Sequence, residues 1–168
     1  MYRHEELINL PHFYSKRVGV LNQNLAKIRK APKKDYDNFR KYFAFACVDL
    51  VILDGKSVLL TKRTRNPYKG YWHLPGSMIH KTETMHEAAK RSAKEELNLK
   101  IKITKLVGVY ESLDGFRHDV SHGFLVQVIG GKIKTDFQSS DIGFFKTLPK
   151  KTLPHHRLVI RDALKAKP

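Results

Sequence analysis

Cysteine is nearly absent: Cys47 is the single one in 168 residues, so no intramolecular disulfide can form. Small secreted domains commonly lean on disulfides, and their absence here points to a reducing, cytoplasmic setting. Cys47 lies in an apolar run, where the expected role is that of a small buried hydrophobe. Long apolar stretches are missing as well. Nothing approaches the roughly 20 residues needed to cross a bilayer, and an N-terminus carrying Arg3, His4, Glu5 and Glu6 is not a secretory signal, so no membrane partner is expected. Acidic residues are scarce, 16 Asp and Glu against 32 Lys and Arg, which gives a formal net charge of +16. That imbalance attracts polyanions, and suits both weak nucleic-acid association and the steering of phosphate-rich substrates. No nucleic-acid motif accompanies it to choose between the two. Repeats and low-complexity tracts are also absent, and the length suits one domain with a sizeable core.

What the chain does have is concentrated between Gly76 and Leu99. Thr84 is a good N-cap, with Glu87 placed to complete a capping box, and Asn98 suits the left-handed residue that ends a helix. The predicted helix therefore starts near Met85 and stops near Asn98. Ala89, Ala93 and Leu97 recur every fourth residue and form its packing seam. Ser92, Glu95 and Glu96 fall on a neighbouring arc off that seam, so two carboxylates and a hydroxyl are expected to face one way. Two such carboxylates repel unless protonated or bridged, and oxygen donors are what Mg²⁺ or Mn²⁺ prefers. Arg91 is spaced to hold Glu95 in place, one turn away. A plainly solvated acidic face is the alternative that the spacing leaves open.

Ser77, five residues, Glu83, seven residues, then Arg91-Ser92-Ala93-Lys94-Glu95-Glu96-Leu97-Asn98-Leu99, preceded by Leu74-Pro75-Gly76, resembles the Nudix box. Glu83, Arg91, Glu95 and Glu96 match it in register, whereas Ser77, Ser92 and Asn98 depart from it. The resemblance implies an α/β fold, an α/β/α sandwich with a mixed central sheet, and a Mg²⁺- or Mn²⁺-dependent hydrolase. It implies that Glu95 and Glu96 hold the metal with the Ser77 carbonyl, and that Arg91 and Glu83 orient them as part of the catalytic set. The residue that family members carry at the place of Ser92 is a Glu, a metal ligand and sometimes the base, and a hydroxyl is a far weaker ligand that cannot serve as a base near neutral pH.

The stretch Lys62 to Trp72 with the following turn is similar to the GDP-mannose mannosyl hydrolase branch, which also lacks that Glu and attacks a sugar carbon. By that resemblance Asp49 and Arg63 would contact the nucleotide and Gln138 would supply a metal ligand, while the branch's downstream His is Ser139 here. Arg65, Tyr71, Arg117 and His118 complete the expected substrate contacts, the last two in a polar loop over 112–120. The substrate implied is a nucleoside diphosphate linked to another group, foremost a nucleotide sugar. A Nudix-like domain that binds nucleotide or RNA without hydrolysis is the alternative, favoured by Ser92 and Ser139. His73, His118 and His122 are candidates for a base, each with an ordinary structural role as the competing reading.

Around this centre, residues 1–41 read as a basic extension with an amphipathic helical pattern over Val18, Leu21, Leu25 and Ile28, suited to a dimer contact; the hydrolase domain would occupy 42–168. Tyr42 to Leu53 is expected as a strand buried on both faces, Ser57 to Thr64 as its return strand, Lys100 to Glu111 and Ser121 to Ile129 as further strands, and Lys132 to Thr135 and Ile142 to Phe145 as short ones. A helix over Pro154 to Lys165 closes the chain, with Leu158, Ile160, Ala163 and Leu164 inward. The adjacent pair His155-His156 at its start is expected to diverge, as neighbours on a helix do, and not to share a metal.

Overall fold

Residues 31–113, 116–134 and 139–166 are described by a computed structural model. Their elements are α1 (Lys33–Tyr42), β1 (Phe45–Asp54), β2 (Ser57–Arg63), β3 (Trp72–His73), β4 (Gly76–Met78), α2 (Met85–Leu97), β5 (Leu99–Leu113), β6 (His118–Gly131), β7 (Ser139–Phe145) and α3 (Pro154–Ala166). The strands run in the order β3-β2-β1-β6-β5, with β4 added to β1 and β7 to β2. β1 and β6 are parallel and the other pairs antiparallel, so the sheet is mixed. A parallel neighbour needs a long crossover. The chain from β2 through α2 to β5 supplies it.

One helix covers each side. Ala88, Ala89, Ala93 and Leu97 of α2 pack with Val48, Leu50 and Ile52 of β1, while Val159, Ile160 and Ala163 of α3 pack with Val51, Leu60 and Leu74. β1 is thus apolar on both faces, which is why its sequence runs without alternation. The architecture is the expected α/β sandwich.

Several expected boundaries move. Tyr42 ends a helix, α1, which Pro32 precedes and which the sequence reading passed over; β1 begins only at Phe45. α1 has no buried residue, yet Tyr36 and Phe39 lie with their rings 5.3 and 5.0 Å from Phe45. The polar loop expected over 112–120 is much shorter, because β5 and β6 pair as far as Leu113 with His118. Residues 132–134 form no strand, and β7 starts at Ser139. In α3 the inward residues are His156, Val159, Ile160 and Ala163, while Leu158 and Leu164 are exposed. The pattern over Val18 to Ile28 lies outside the described residues.

Candidate active site

The turn Leu74-Pro75-Gly76 joins the sheet to both helices, and the partners of its backbone show how. Leu74 N–H donates to His156 Nδ1 at 2.7 Å, and Leu74 C=O accepts from His73 Nδ1 at 2.7 Å. Pro75 C=O accepts from Leu50 N–H at 2.8 Å, and Gly76 N–H donates to the Glu96 carboxylate at 3.2 Å. Gly76 cannot be replaced quietly, because a Cβ there would sit 2.1 Å from the Val48 carbonyl oxygen and 2.9 Å from Asp49 Oδ1. Ser77 needs no glycine. Positive φ among the described non-glycine residues falls on Tyr68, Thr82 and Asn98 instead.

α2 is capped as its sequence implies. Thr84 accepts from Glu87 N–H while Glu87 reaches back to the Thr84 N–H, and Asn98 closes the helix at φ 56°. Arg91 then ties three segments together: its Nε donates to Glu83 at 2.6 Å, Nη2 to Glu83 at 3.0 Å and to the Met78 carbonyl at 2.9 Å, and Nη1 to Glu95 at 3.2 Å. Burial works to raise the Glu83 carboxyl, but the Arg91 hydrogen bonds and the His80 N–H outweigh it and hold the group below its ordinary value. Glu95 remains mostly exposed. Glu96 is thus held at the turn beside Ser77 and Glu95 is tied to it only through Arg91 and the Met78 carbonyl, whereas Gln138 lies outside the described residues.

Ser92 is placed differently from the expected arc. It is fully buried, with its hydroxyl 2.5 Å from that of Ser77. The packed face of α2 is wider than the Ala89-Ala93-Leu97 seam, since Ala88 is buried too, and Ser92 lies one turn beyond it. Two small hydroxyls thus meet between helix and turn.

On the other side of the turn, Asp49, His155 and His156 each offer a ligand atom, all within 4.8 Å of one another, an arrangement consistent with a divalent metal site. This corrects the expectation that the two neighbouring histidines diverge too far to share a metal, since their ligand atoms lie together with that of Asp49. They sit in the first turn of α3, ring centroids 4.2 Å apart, where His156 is drawn inward to Leu74 and Asp49. Asp49 is 5% exposed, its Oδ1 lies 3.5 Å from His156 Nε2, and its Oδ2 has no hydrogen-bond partner. Burial pushes the Asp49 carboxyl up to about 7, against the favourable contact of Ser121. It pushes the His156 imidazole well below its usual range. Because Nδ1 accepts from Leu74, the neutral ring carries its proton on Nε2, toward Asp49.

The expected substrate contacts are more scattered. Arg63 does not pair with Asp49; its Nε donates to the Pro67 carbonyl at 2.9 Å. Burial and then the nearby Arg117 lower its hold on the proton, and Glu96 and Asp119 also lie within electrostatic reach. Arg117 pairs with Asp119 at 2.6 Å, donates to Tyr36 Oη at 3.1 Å and stacks 4.9 Å from the Phe45 ring centre. His118 stands on β6, 3.4 Å from Glu111. Tyr71 packs edge-on to Tyr68, and Arg65 is exposed between β2 and β3. Of the imidazoles weighed as bases, His73 is held at both nitrogens, by the Leu74 carbonyl and Thr61, and His122 Nδ1 meets the Cys47 carbonyl. Tyr36 and His156 were not picked out beforehand. Tyr36 sits on the unforeseen α1, and the doublet at 155–156 carries no sign of a partner as remote as Leu74.

The pattern that defines the NUDIX domain matches residues 44–164. The chain belongs to the Nudix family. Among its relatives, the ADP-ribose pyrophosphatase of Methanocaldococcus jannaschii is 37% identical over 140 residues, covering 80% of this chain and 82% of that protein. The low-salt glycan biosynthesis protein Agl8 of Haloferax volcanii is 28% identical over 133 residues, covering 74% and 85%. The structure of a MutT Nudix hydrolase from Burkholderia pseudomallei superposes with a TM-score of 0.68 at 24% identity, covering 71% of this chain and 98% of that one, and so shares the fold. One cluster of donor atoms among the described residues, Asp49, His155 and His156, is arranged as a divalent cation could use it. Glu95 and Glu96 offer oxygen donors of the kind Mg²⁺ prefers, whereas the Asp49 cluster contributes two imidazoles, one of them protonated at the nitrogen it would have to offer. Among the described residues, no helix is long and apolar enough to cross a membrane.

Proposed function

We propose that this Nudix protein is a Mg²⁺- or Mn²⁺-dependent hydrolase of a nucleoside diphosphate joined to a sugar. The observation that carries the reading is the Gly76 N–H contact to Glu96, with Glu95 held by Arg91 and Arg91 anchored on Glu83 and the Met78 carbonyl. It ties Glu96 to the turn and links Glu95, through Arg91, to Glu83 and the Met78 carbonyl, which supports a shared role for the two carboxylates. Glu95, Glu96 and the Ser77 carbonyl would hold the cation, with Gln138 as a further ligand. When bound, the cation offsets charge on the diphosphate as the leaving group departs. Arg63 would bind the diphosphate and Arg117 would assist it, while Tyr71, Arg65, Asp49 and His118 would contact the base and sugar. ADP-ribose, named in the Methanocaldococcus jannaschii relative, is a nucleoside diphosphate sugar and supports this class. The excess of basic residues would steer such anions, and would also give weak, salt-sensitive association with nucleic acid.

The test is turnover of a panel of nucleoside diphosphate sugars with Mg²⁺ or Mn²⁺, beside a Glu96→Gln variant. Turnover that falls by at least 100-fold in the variant is expected. The products separate attack at phosphorus, which yields a nucleoside monophosphate and a sugar phosphate, from attack at carbon, which yields a nucleoside diphosphate and a free sugar. Nucleotide binding with no turnover across the panel would instead favour the non-hydrolytic reading, for which the buried Ser92, standing where the family has a carboxylate, is the specific support.

A further inference from the structure

We propose that His156 is a positioning residue of the active site, which from the first turn of α3 holds the Leu74–Gly76 turn where Gly76 N–H orients the Glu96 carboxylate. The inference rests on the reading that Glu95 and Glu96 hold the cation. It concerns a residue on the far side of the sheet from α2, in a doublet whose purpose the hydrolase chemistry leaves unexplained.

Four backbone atoms of the turn lie between His156 and the Glu96 carboxylate. Each has a fixed partner: Leu74 N–H on His156, Leu74 C=O on His73, Pro75 C=O on Leu50 and Gly76 N–H on Glu96. A buried backbone N–H without a partner is costly, so removing the His156 ring leaves Leu74 N–H either unsatisfied or displaced in search of another acceptor. Displacement is transmitted because Gly76 has little slack, with the Val48 carbonyl and Asp49 occupying the space that a Cβ would need. Glu96 then loses the donor that aims it. The same geometry explains why His156 is poor as a ligand itself: with Nδ1 taken by Leu74, a cation at Nε2 would have to displace the proton directed at Asp49.

The test measures Mn²⁺ binding to the full chain without substrate, by electron paramagnetic resonance of the free ion. His156→Leu is expected to bind Mn²⁺ roughly 10-fold more weakly, the lower end of the cost of losing a direct outer partner of a metal ligand, because His156 acts on Glu96 only through the turn. His156→Asn, whose Oδ1 takes the place of Nδ1 and can accept from Leu74 N–H, is expected to recover most of that loss although it cannot reach Asp49. Near-native affinity in a folded His156→Leu variant would overturn the proposal, and so would a His156→Asn variant as weak as His156→Leu. Should the leucine variant not fold, the native protein decides by nitrogen-15 NMR. Adding Mg²⁺ should shift the Gly76 amide while His156 keeps its proton on Nε2, and a change of the His156 ring nitrogens to a coordinated form would overturn the proposal. Glu96→Gln serves as the separate control. Mn²⁺ affinity unchanged in that variant would remove the reading of the carboxylate site itself, whereas affinity lost there and retained in His156→Leu removes only the role of His156.

Discussion

Glu83 accepts three hydrogen bonds, two from Arg91 and one from the His80 N–H, with only 10% of its side chain exposed. Hydrogen bonds to a charged, largely buried acceptor are worth more than neutral ones, so Glu83→Gln should cost about 2 kcal/mol at pH 7. The sign of the pH dependence follows from the lowered folded value. The stabilisation is fully present above the ordinary carboxyl value of 4.5 and is lost as pH falls through the lower folded one. Urea denaturation of native protein and variant should therefore show a gap that is constant near neutrality and closes in acid; a gap that is the same at pH 3 and pH 7 would contradict it. At this scale the Arg91–Glu95 contact was readable, because four residues along a helix put side chains in reach of one another, whereas the link of Arg91 with Glu83, which precedes the helix, came only from the resemblance. The burial of Ser92 was not readable. Its position at the border of the packed face is decided by Ser77, fifteen residues earlier, and helical periodicity is silent about such a neighbour.

Elements differ in how locally they are determined. α2 begins at Met85 and is closed by Asn98 as its caps imply, since a capping box and a left-handed C-terminal residue are chemistry within a few residues of the end they terminate. Removing the cap should be felt: Thr84→Ala is expected to cost about 1 kcal/mol, seen as a lower urea midpoint with an unchanged slope. The strands were less legible. β5 and β6 extend to Leu113 and His118 because they pair with each other, and pairing is a property of two segments that neither one carries alone. α1 failed for the opposite reason: its sequence KKDYDNFRKY is mostly polar, and what fixes it is contact with Phe45, Phe116 and Arg117 outside the helix. The sandwich was foreseeable from the resemblance, with which an unbroken apolar strand and two helical patterns agree. Which residues of α3 point inward depended on the sheet it lies against.

For the whole molecule, the consequence of joining sheet, turn and both helices at one point is that neutral imidazoles become structural. His73 bridges the Leu74 carbonyl and Thr61 Oγ1, and needs its proton on Nδ1 and a lone pair on Nε2 to do so. Burial, followed by the charge of Arg63, lowers its value from an ordinary 6.5 to about 4. An unfolded chain binds that proton near pH 6.5 and the folded one does not, so the folded state is stabilised above the ordinary value and loses ground as pH falls toward the lowered one. Asp49 works in the other direction, since its raised carboxyl keeps a proton in the folded state and that contribution fades as pH rises through about 7. The pH profile of the native protein alone thus mixes both signs, and a comparison with His73→Asn isolates one. The native advantage over this variant should be about 2 kcal/mol smaller at pH 5 than at pH 7.5, from about 1.4 kcal/mol for each pH unit crossed below 6.5. Protonation also adds positive charge to a chain that already carries +16, and that repulsion is screened by salt whereas the desolvation of His73 is not. Repeating the comparison in 0.5 M NaCl should leave the difference between native and variant in place while both gain stability in acid; a difference that vanished with salt would assign it to long-range repulsion and not to the turn.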